Sequence, residues 1–217
     1  MVRVKICGNT NLEDALCAAE SGADLLGFIL YPQSPRSVSN DAAAEIVSEL
    51  RLLAATASWR MPLCVGVFAD ESNSVIELTM QRVSLDAAQL HGNTTPADIA
   101  ALSGRAYKAI KLIDATTPQF VAMANHGPDL PSLMIDSNHP TLHGGTGTRA
   151  NEGVAAQLAT TCNLLLAGGL TVENVIEAIS VVKPWGVDVA NGTERSPGLK
   201  DHAKVRAFIA AVRQSEK

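Results

Sequence analysis

The chain of 217 residues lacks a basic excess: 17 lysines and arginines face 22 aspartates and glutamates, for a formal charge of −5. Without a basic field nothing holds DNA, RNA or an anionic membrane, although a pocket for one phosphate is not excluded. It also lacks long apolar runs. Stretches such as 25–31 are strand-sized, short of the about 20 residues that a membrane helix needs. The opening MVRVKICGNT carries Arg3 and Lys5 and no apolar core, which points away from a signal peptide or anchor and toward a cytoplasmic protein. The cysteines, at 7, 17, 64 and 162, include no C-x-x-C pair and no cluster, so free thiols are expected rather than a zinc site or a disulfide framework. His139 and His143 have the spacing of a helical metal pair, but Pro140 and the glycines of 144–147 make that segment a loop, and no metal is expected. No linker rich in proline, glycine or serine divides the chain, so residues 1–217 read as a single domain.

What is present is a repeating alternation. Hydrophobic residues make up 47% and charged residues 18%, enough apolar matter for a real core. Short β-rich apolar runs cover 2–7, 25–30, 63–68, 87–91, 106–112, 133–136, 164–167 and 186–189. Stretches of helical period cover 11–21, 39–53, 73–82, 95–102, 117–124, 151–159, 171–181 and 200–213. Helix-start signals include Thr10 or Asn11, Ser39 or Asn40 with Asp41, and Thr171 followed by Glu173. Eight βα units at about 27 residues each fit a compact (βα)8 barrel, a TIM barrel. A doubly wound open sheet is the structural alternative, but no G-x-G-x-x-G follows the first strand. Strand alternation then places Arg3, Lys5 and Cys7 inside the barrel and Val2, Val4 and Ile6 against the helices. An interior Asp188 is expected to pair with Arg3 or Lys5.

In such barrels the chemistry gathers where strands end. Gly145 and Gly147 follow the sixth strand, Gly168 and Gly169 the seventh, and Asn191 and Gly192 the eighth. Glycine lets the backbone approach an anion, and helix N-termini add N–H donors, so these turns read as a phosphate site. Cys7 and Asp136 end strands on opposite sides of the mouth. A thiol with nearby cations, Lys5 among them, suits a base, and a partly desolvated carboxyl suits an acid. Spacing alone leaves Cys7 open as a packing residue and Asp136 as a turn former.

The motifs V-K-I-C-G-N-T (4–10), G-A-D-L-L-G-F-I-L-Y-P-Q-S-P-R (22–36), Q-L-H-G (89–92), I-D (135–136), G-G-T-G (144–147), L-A-G-G-L-T-V-E-N-V (166–175), V-D-V-A-N-G-T-E (187–194) and S-P-G-L-K-D (196–201) run the length of the chain. Together they resemble the phosphoribosylanthranilate isomerase family of tryptophan biosynthesis. The resemblance implies a cofactor-free Amadori rearrangement of N-(5-phosphoribosyl)anthranilate to 1-(2-carboxyphenylamino)-1-deoxyribulose 5-phosphate. By position it implies Cys7 as the base, Asp136 as the acid, Arg36 on the anthranilate carboxylate and His91 near the substrate. The expected partner is the phosphosugar alone, with no nucleic acid or membrane, on a monomer or alternatively a homodimer.

Two departures stand out. Ala150-Asn151-Glu152 replaces the family's usual Phe-Asp-Trp, removing two aromatic anchors while leaving Asn151 as an N-cap type. Ala190-Asn191-Gly192 replaces Ser-Ser-Gly, which removes hydroxyls but not backbone donors. Two other readings compete. The histidine-pathway ring-opening isomerase resembles this barrel but uses two aspartates, and Cys7 argues against it. A silent phosphoribosyl-ligand binder would need neither Cys7 nor Asp136.

Overall fold

A computed structural model describes residues 1–111, 117–123, 127, 129–136 and 148–215. Eight parallel strands close on themselves in sequence order, with β1 (Arg3–Cys7) pairing β2 (Leu25–Ile29) on one side and β8 (Gly186–Val189) on the other. Between them lie β3 (Leu63–Ala69), β4 (Ala87–His91), β5 (Ala106–Ile110), β6 (Leu133–Asp136) and β7 (Leu164–Ala167). The helices α1 (Leu12–Glu20), α2 (Asn40–Ala54), α3 (Asn73–Val83), α4 (Pro96–Ala101), α5 (Thr117–Met123), α6 (Thr148–Ala159), α7 (Val175–Val182) and α8 (His202–Gln214) alternate with the strands. The closed ring excludes the open doubly wound sheet.

Alternation along the strands divides the core in two. Val4, Ile6, Leu26 and Phe28 pack outward in one cluster with helix residues such as Val47, Ile76 and Phe208. Leu25, Val65, Tyr107, Met134 and Leu165 fill the barrel interior. Lys5 shares that interior and is fully buried, its Nζ donating to Asp188 Oδ1 at 2.7 Å and Gln89 Oε1 at 2.9 Å. Lys5 is thus the partner that Asp188 takes. Arg3 lies at the bottom rim, where it donates to Asp24 at 2.9 Å and Asp129 at 3.3 Å.

Side-chain caps fix several helix starts. Asn11, Ser39 and Ser72 accept backbone N–H bonds from the first turns of α1, α2 and α3, and Thr95 with Asp98 forms a reciprocal capping box on α4. Three expectations are corrected. The segment Thr171 to Glu173 does not open α7: Asn174 Oδ1 accepts from Thr171 N at 2.8 Å, spending those residues on a turn, and the helix begins at Val175. Asn151 is not a cap, because α6 already begins at Thr148. Lys200 does not open the last helix. It ends a small hairpin of β9 (Glu194–Ser196) and β10 (Leu199–Lys200), and Asp201 caps α8 through the N–H groups of Ala203 and Lys204. Among the described residues no helix is long and apolar enough to cross a membrane.

Candidate active site

Parallel strands all deliver their last residues to one rim, and there Cys7, His91 and Asp136 end β1, β4 and β6. Cys7 is 5% exposed. The chain turns just beyond it, where Asn9 Nδ2 donates to the carbonyls of Ile6 and Gly27 at 2.9 and 3.2 Å. Burial pushes the Cys7 thiol above its ordinary value. Lys5 and Lys200 pull it down without overcoming that burial, and Asp188 adds to the rise. The expected lowering by Lys5 is therefore real in direction but does not win. Asp136 is partly exposed and aligns with Ala167 on β7, so β7 and β8 separate it from Cys7 on the shorter way round the ring.

His91 is tied to this floor through Gln89. Gln89 Oε1 accepts from both Lys5 Nζ and Tyr107 OH, so its amide nitrogen faces His91 Nε2 at 2.8 Å as the donor. His91 Nε2 is then the acceptor, and the ring proton sits on Nδ1. Burial, with Lys5 and Lys108 nearby, pushes the His91 pKa down to about 4, so the ring is neutral at pH 7.

Arg36, in the loop after β2, reaches the same rim. Its side chain passes over Gly8, where an added Cβ would lie 3.1 Å from Arg36 Cδ. Its guanidinium meets Glu194 of β9, with Nε 2.9 and 3.0 Å from the two carboxylate oxygens and Nη2 2.8 Å from Oε2.

The glycine turns are placed in part. Gly168 and Gly169 both take positive φ, 100° and 67°, directly after β7. Asn191 and Gly192 form a 3-10 turn directly after β8 (Asn191–Thr193). A Cβ on Gly192 would lie 2.0 Å from the Leu170 carbonyl oxygen, so only glycine lets these two loops close together. Gly145 and Gly147 lie outside the described residues, as do His139 and His143. Among the described residues no group of three His, Cys, Asp or Glu is placed to hold a metal ion.

Lys200 and Glu194 were not singled out from sequence, yet they join the site's parts. Lys200 is 1% exposed, and its Nζ donates to the Cys7 carbonyl at 2.6 Å, to the Ala190 carbonyl at 3.1 Å and to Glu194 Oε1 at 3.4 Å. One ammonium thus pins the ends of β1 and β8 to the hairpin. Burial works against charge on both residues, lowering Lys200. Glu194 is nevertheless held below the usual carboxylate range by Arg36 and Lys200. The only signal for them in the sequence is the motif E-R-S-P-G-L-K-D itself.

Comparison with known proteins decides the lineage. Residues 4–211 match the family model of N-(5'-phosphoribosyl)anthranilate isomerase. The chain belongs to that family. It is 40% identical over 215 residues to the N-(5'-phosphoribosyl)anthranilate isomerase of Pelobacter propionicus, covering 99% of this chain and 97% of that protein. Among solved structures, phosphoribosyl anthranilate isomerase from Thermotoga maritima matches with a TM-score of 0.81 and 35% identity, covering 99% of this chain and all of that one. A phosphoribosyl anthranilate isomerase structure in complex with reduced 1-(o-carboxyphenylamino)-1-deoxyribulose 5-phosphate matches with a TM-score of 0.80 and 33% identity, covering 99% of this chain and all of that one. The isomerase family is therefore shared in sequence and in fold across nearly the whole chain.

Proposed function

We propose that this chain catalyses the Amadori rearrangement of N-(5-phosphoribosyl)anthranilate to 1-(2-carboxyphenylamino)-1-deoxyribulose 5-phosphate, in tryptophan biosynthesis. The observation that carries the reading is the arrival of Cys7 and Asp136 at one barrel rim, in a chain of this family, with the turns of Gly168, Gly169, Asn191 and Gly192 beside them.

The chemistry follows from the substrate. Asp136 gives its proton to the furanose ring oxygen as the C1–O bond breaks, and the anthranilate nitrogen supplies the electron pair of the resulting Schiff base. That cation makes the C2 proton acidic, and the small fraction of Cys7 present as thiolate takes it, leaving an enaminol. Proton return to C1 and loss of the C2 hydroxyl proton give the ketose, so substrate and product are isomers. No cofactor is called for.

In this reading the phosphate rests on backbone N–H groups of Gly145, Gly147, Gly168, Gly169, Asn191 and Gly192, at the strand 7 and 8 position where such barrels commonly hold one. Arg36 faces the anthranilate carboxylate, and neutral His91 lies near the substrate as an Nδ1–H donor. All of these groups come from one catalytic unit, residues 1–217. A monomer therefore suffices, and the cytoplasm is its place of work. The test is to supply purified protein with phosphoribosylanthranilate made in situ and follow the loss of its fluorescence. Turnover supports the reading, and binding without turnover would leave only a silent phosphoribosyl-ligand protein.

A further inference from the structure

A guanidinium has two bidentate faces: the side-on pair of Nε and Nη2, and the end-on pair of Nη1 and Nη2. In Arg36 the side-on face is fully taken by Glu194, through three contacts between 2.8 and 3.0 Å. Among the described residues no hydrogen bond engages Nη1 of Arg36. The two partners differ in exposure in a telling way. The Glu194 side chain is 5% exposed, while that of Arg36 keeps 23%, so the pair presents its arginine side to solvent.

Glu194 is itself fixed from behind. Its Oε1 accepts from Gly198 N at 3.3 Å and from the buried Lys200 Nζ at 3.4 Å, inside the hairpin of β9 and β10. The hairpin is in turn anchored to the loop after β1, because Thr10 Oγ1 donates to the Gly198 carbonyl at 2.5 Å. Arg36 sits on an irregular loop, where a long side chain would otherwise sample many rotamers. The carboxylate clamp removes that freedom before any ligand arrives.

We propose that Glu194 is a positioning residue for the isomerase reaction: it locks the side-on face of Arg36 and leaves the end-on fork as the seat for the anthranilate carboxylate. The inference rests on the reading of Arg36 given above and deepens it. It explains why arginine is needed rather than lysine, since one ammonium cannot serve two carboxylates with paired, planar contacts. It also sets specificity. An aromatic amine without the ortho carboxylate leaves the end-on fork unmatched, while Glu194 still neutralises most of the Arg36 charge.

A double-mutant cycle tests this, with KM and kcat followed by the fluorescence assay for wild type, Glu194→Gln, Arg36→Met and the double variant. Glu194→Gln keeps the volume but loses the bidentate clamp. Its KM is expected to rise roughly tenfold with kcat little changed, because the carboxylate is bound alike in ground and transition states. In the Arg36→Met background the same change is expected to leave KM unmoved. An equal rise in KM in both backgrounds, or no rise in either, would show that Glu194 does not act through Arg36. If Arg36→Met itself leaves KM unaltered, the reading of Arg36 fails and the inference falls with it.

A measurement on the wild-type protein covers the case in which Glu194→Gln does not fold. The Arg36 Nε–H signal in a ¹H–¹⁵N spectrum is expected to be protected from exchange in the free protein. It is expected to stay in place when reduced 1-(o-carboxyphenylamino)-1-deoxyribulose 5-phosphate is added, while the Nη signals move. An Nε–H that exchanges freely, or that shifts with the ligand, overturns the proposal.

Discussion

Lys5 and Asp188 stand at the same register on neighbouring strands, and their side chains meet at 2.7 Å inside the barrel, two residues below Cys7. The pair explains how a lysine is tolerated fully buried. Burial alone would lower the Lys5 pKa, but Asp188 with Cys7 and Tyr107 outweighs it and holds the ammonium protonated. Replacing Lys5 with methionine strands a carboxylate in that interior. We expect Lys5→Met to lose about 3–5 kcal/mol of stability, read by urea unfolding. Because Lys5 pulls the Cys7 thiol down, the thiol of any folded Lys5→Met protein is expected to titrate at higher pH than in wild type, read by the pH dependence of its alkylation.

Gly27 leaves the space that this arrangement occupies. A Cβ there would lie 2.6 Å from Cys7 Sγ and 3.1 Å from Lys5 Nζ. Gly27→Ala is expected to displace the thiol, costing about 1–3 kcal/mol in a thermal melt. A lowered kcat, by roughly 10²-fold if the base is lost from its place, is expected alongside. An alanine variant with wild-type kcat would mean that the thiol position is not critical.

The His91 pKa of about 4 makes a prediction about acid stability. An unfolded histidine titrates near 6.5, so below that pH the unfolded chain binds a proton that the folded ring refuses. Stability therefore falls as pH drops from about 6.5 toward 4, by about 3 kcal/mol from this group. Asp24 and Glu194 work lower in the range. Their folded pKa values lie below the ordinary ones, so the stability they add is present above the unfolded value and is lost as pH falls through the folded one. His91→Gln is expected to flatten the loss between pH 6.5 and 5 while leaving the steeper loss at lower pH, as measured by urea titrations across that range.

Much of the fold was legible because a parallel barrel repeats one simple signal. The apolar runs at Ala87–His91, Leu133–Asp136, Leu164–Ala167 and Gly186–Val189 are bounded by turn residues and fold within those bounds. Cys7, His91 and Asp136 were visible as strand ends for the same reason. The hairpin of β9 and β10 was not. Its strands have three and two residues, too short for alternation to register, and Glu194 and Lys200 look like surface residues by type. Their burial depends on partners far away in sequence: Glu194 meets Arg36 across 158 positions, and Lys200 meets Cys7 across 193. Local pattern carries no trace of such pairings. The same holds for the Gln89 link that sets the His91 tautomer, since it needs Lys5 and Tyr107 brought in from β1 and β5.

The phosphate seat proposed at these glycine turns predicts simple competition. Gly168 and Gly169 hold positive φ, which lets consecutive N–H groups turn toward one anion. Inorganic phosphate or sulfate is expected to raise KM for the substrate without changing kcat. Alanine at Gly169, with φ 67°, is expected to raise KM and weaken that inhibition together. Inhibition by sulfate that is unaltered in Gly169→Ala would place the anion elsewhere.

The most direct test of acid–base isomerisation by this barrel is kcat for Cys7→Ser and Asp136→Asn beside wild type, with phosphoribosylanthranilate as substrate and circular dichroism confirming folded protein. A serine hydroxyl is too poor a base for the C2 proton near neutral pH, and an amide has no proton to give the ring oxygen. Each variant is expected to lose about 10²- to 10⁴-fold in kcat with little change in KM. Wild-type turnover by a folded Cys7→Ser protein would remove the thiol from the reaction and contradict the account.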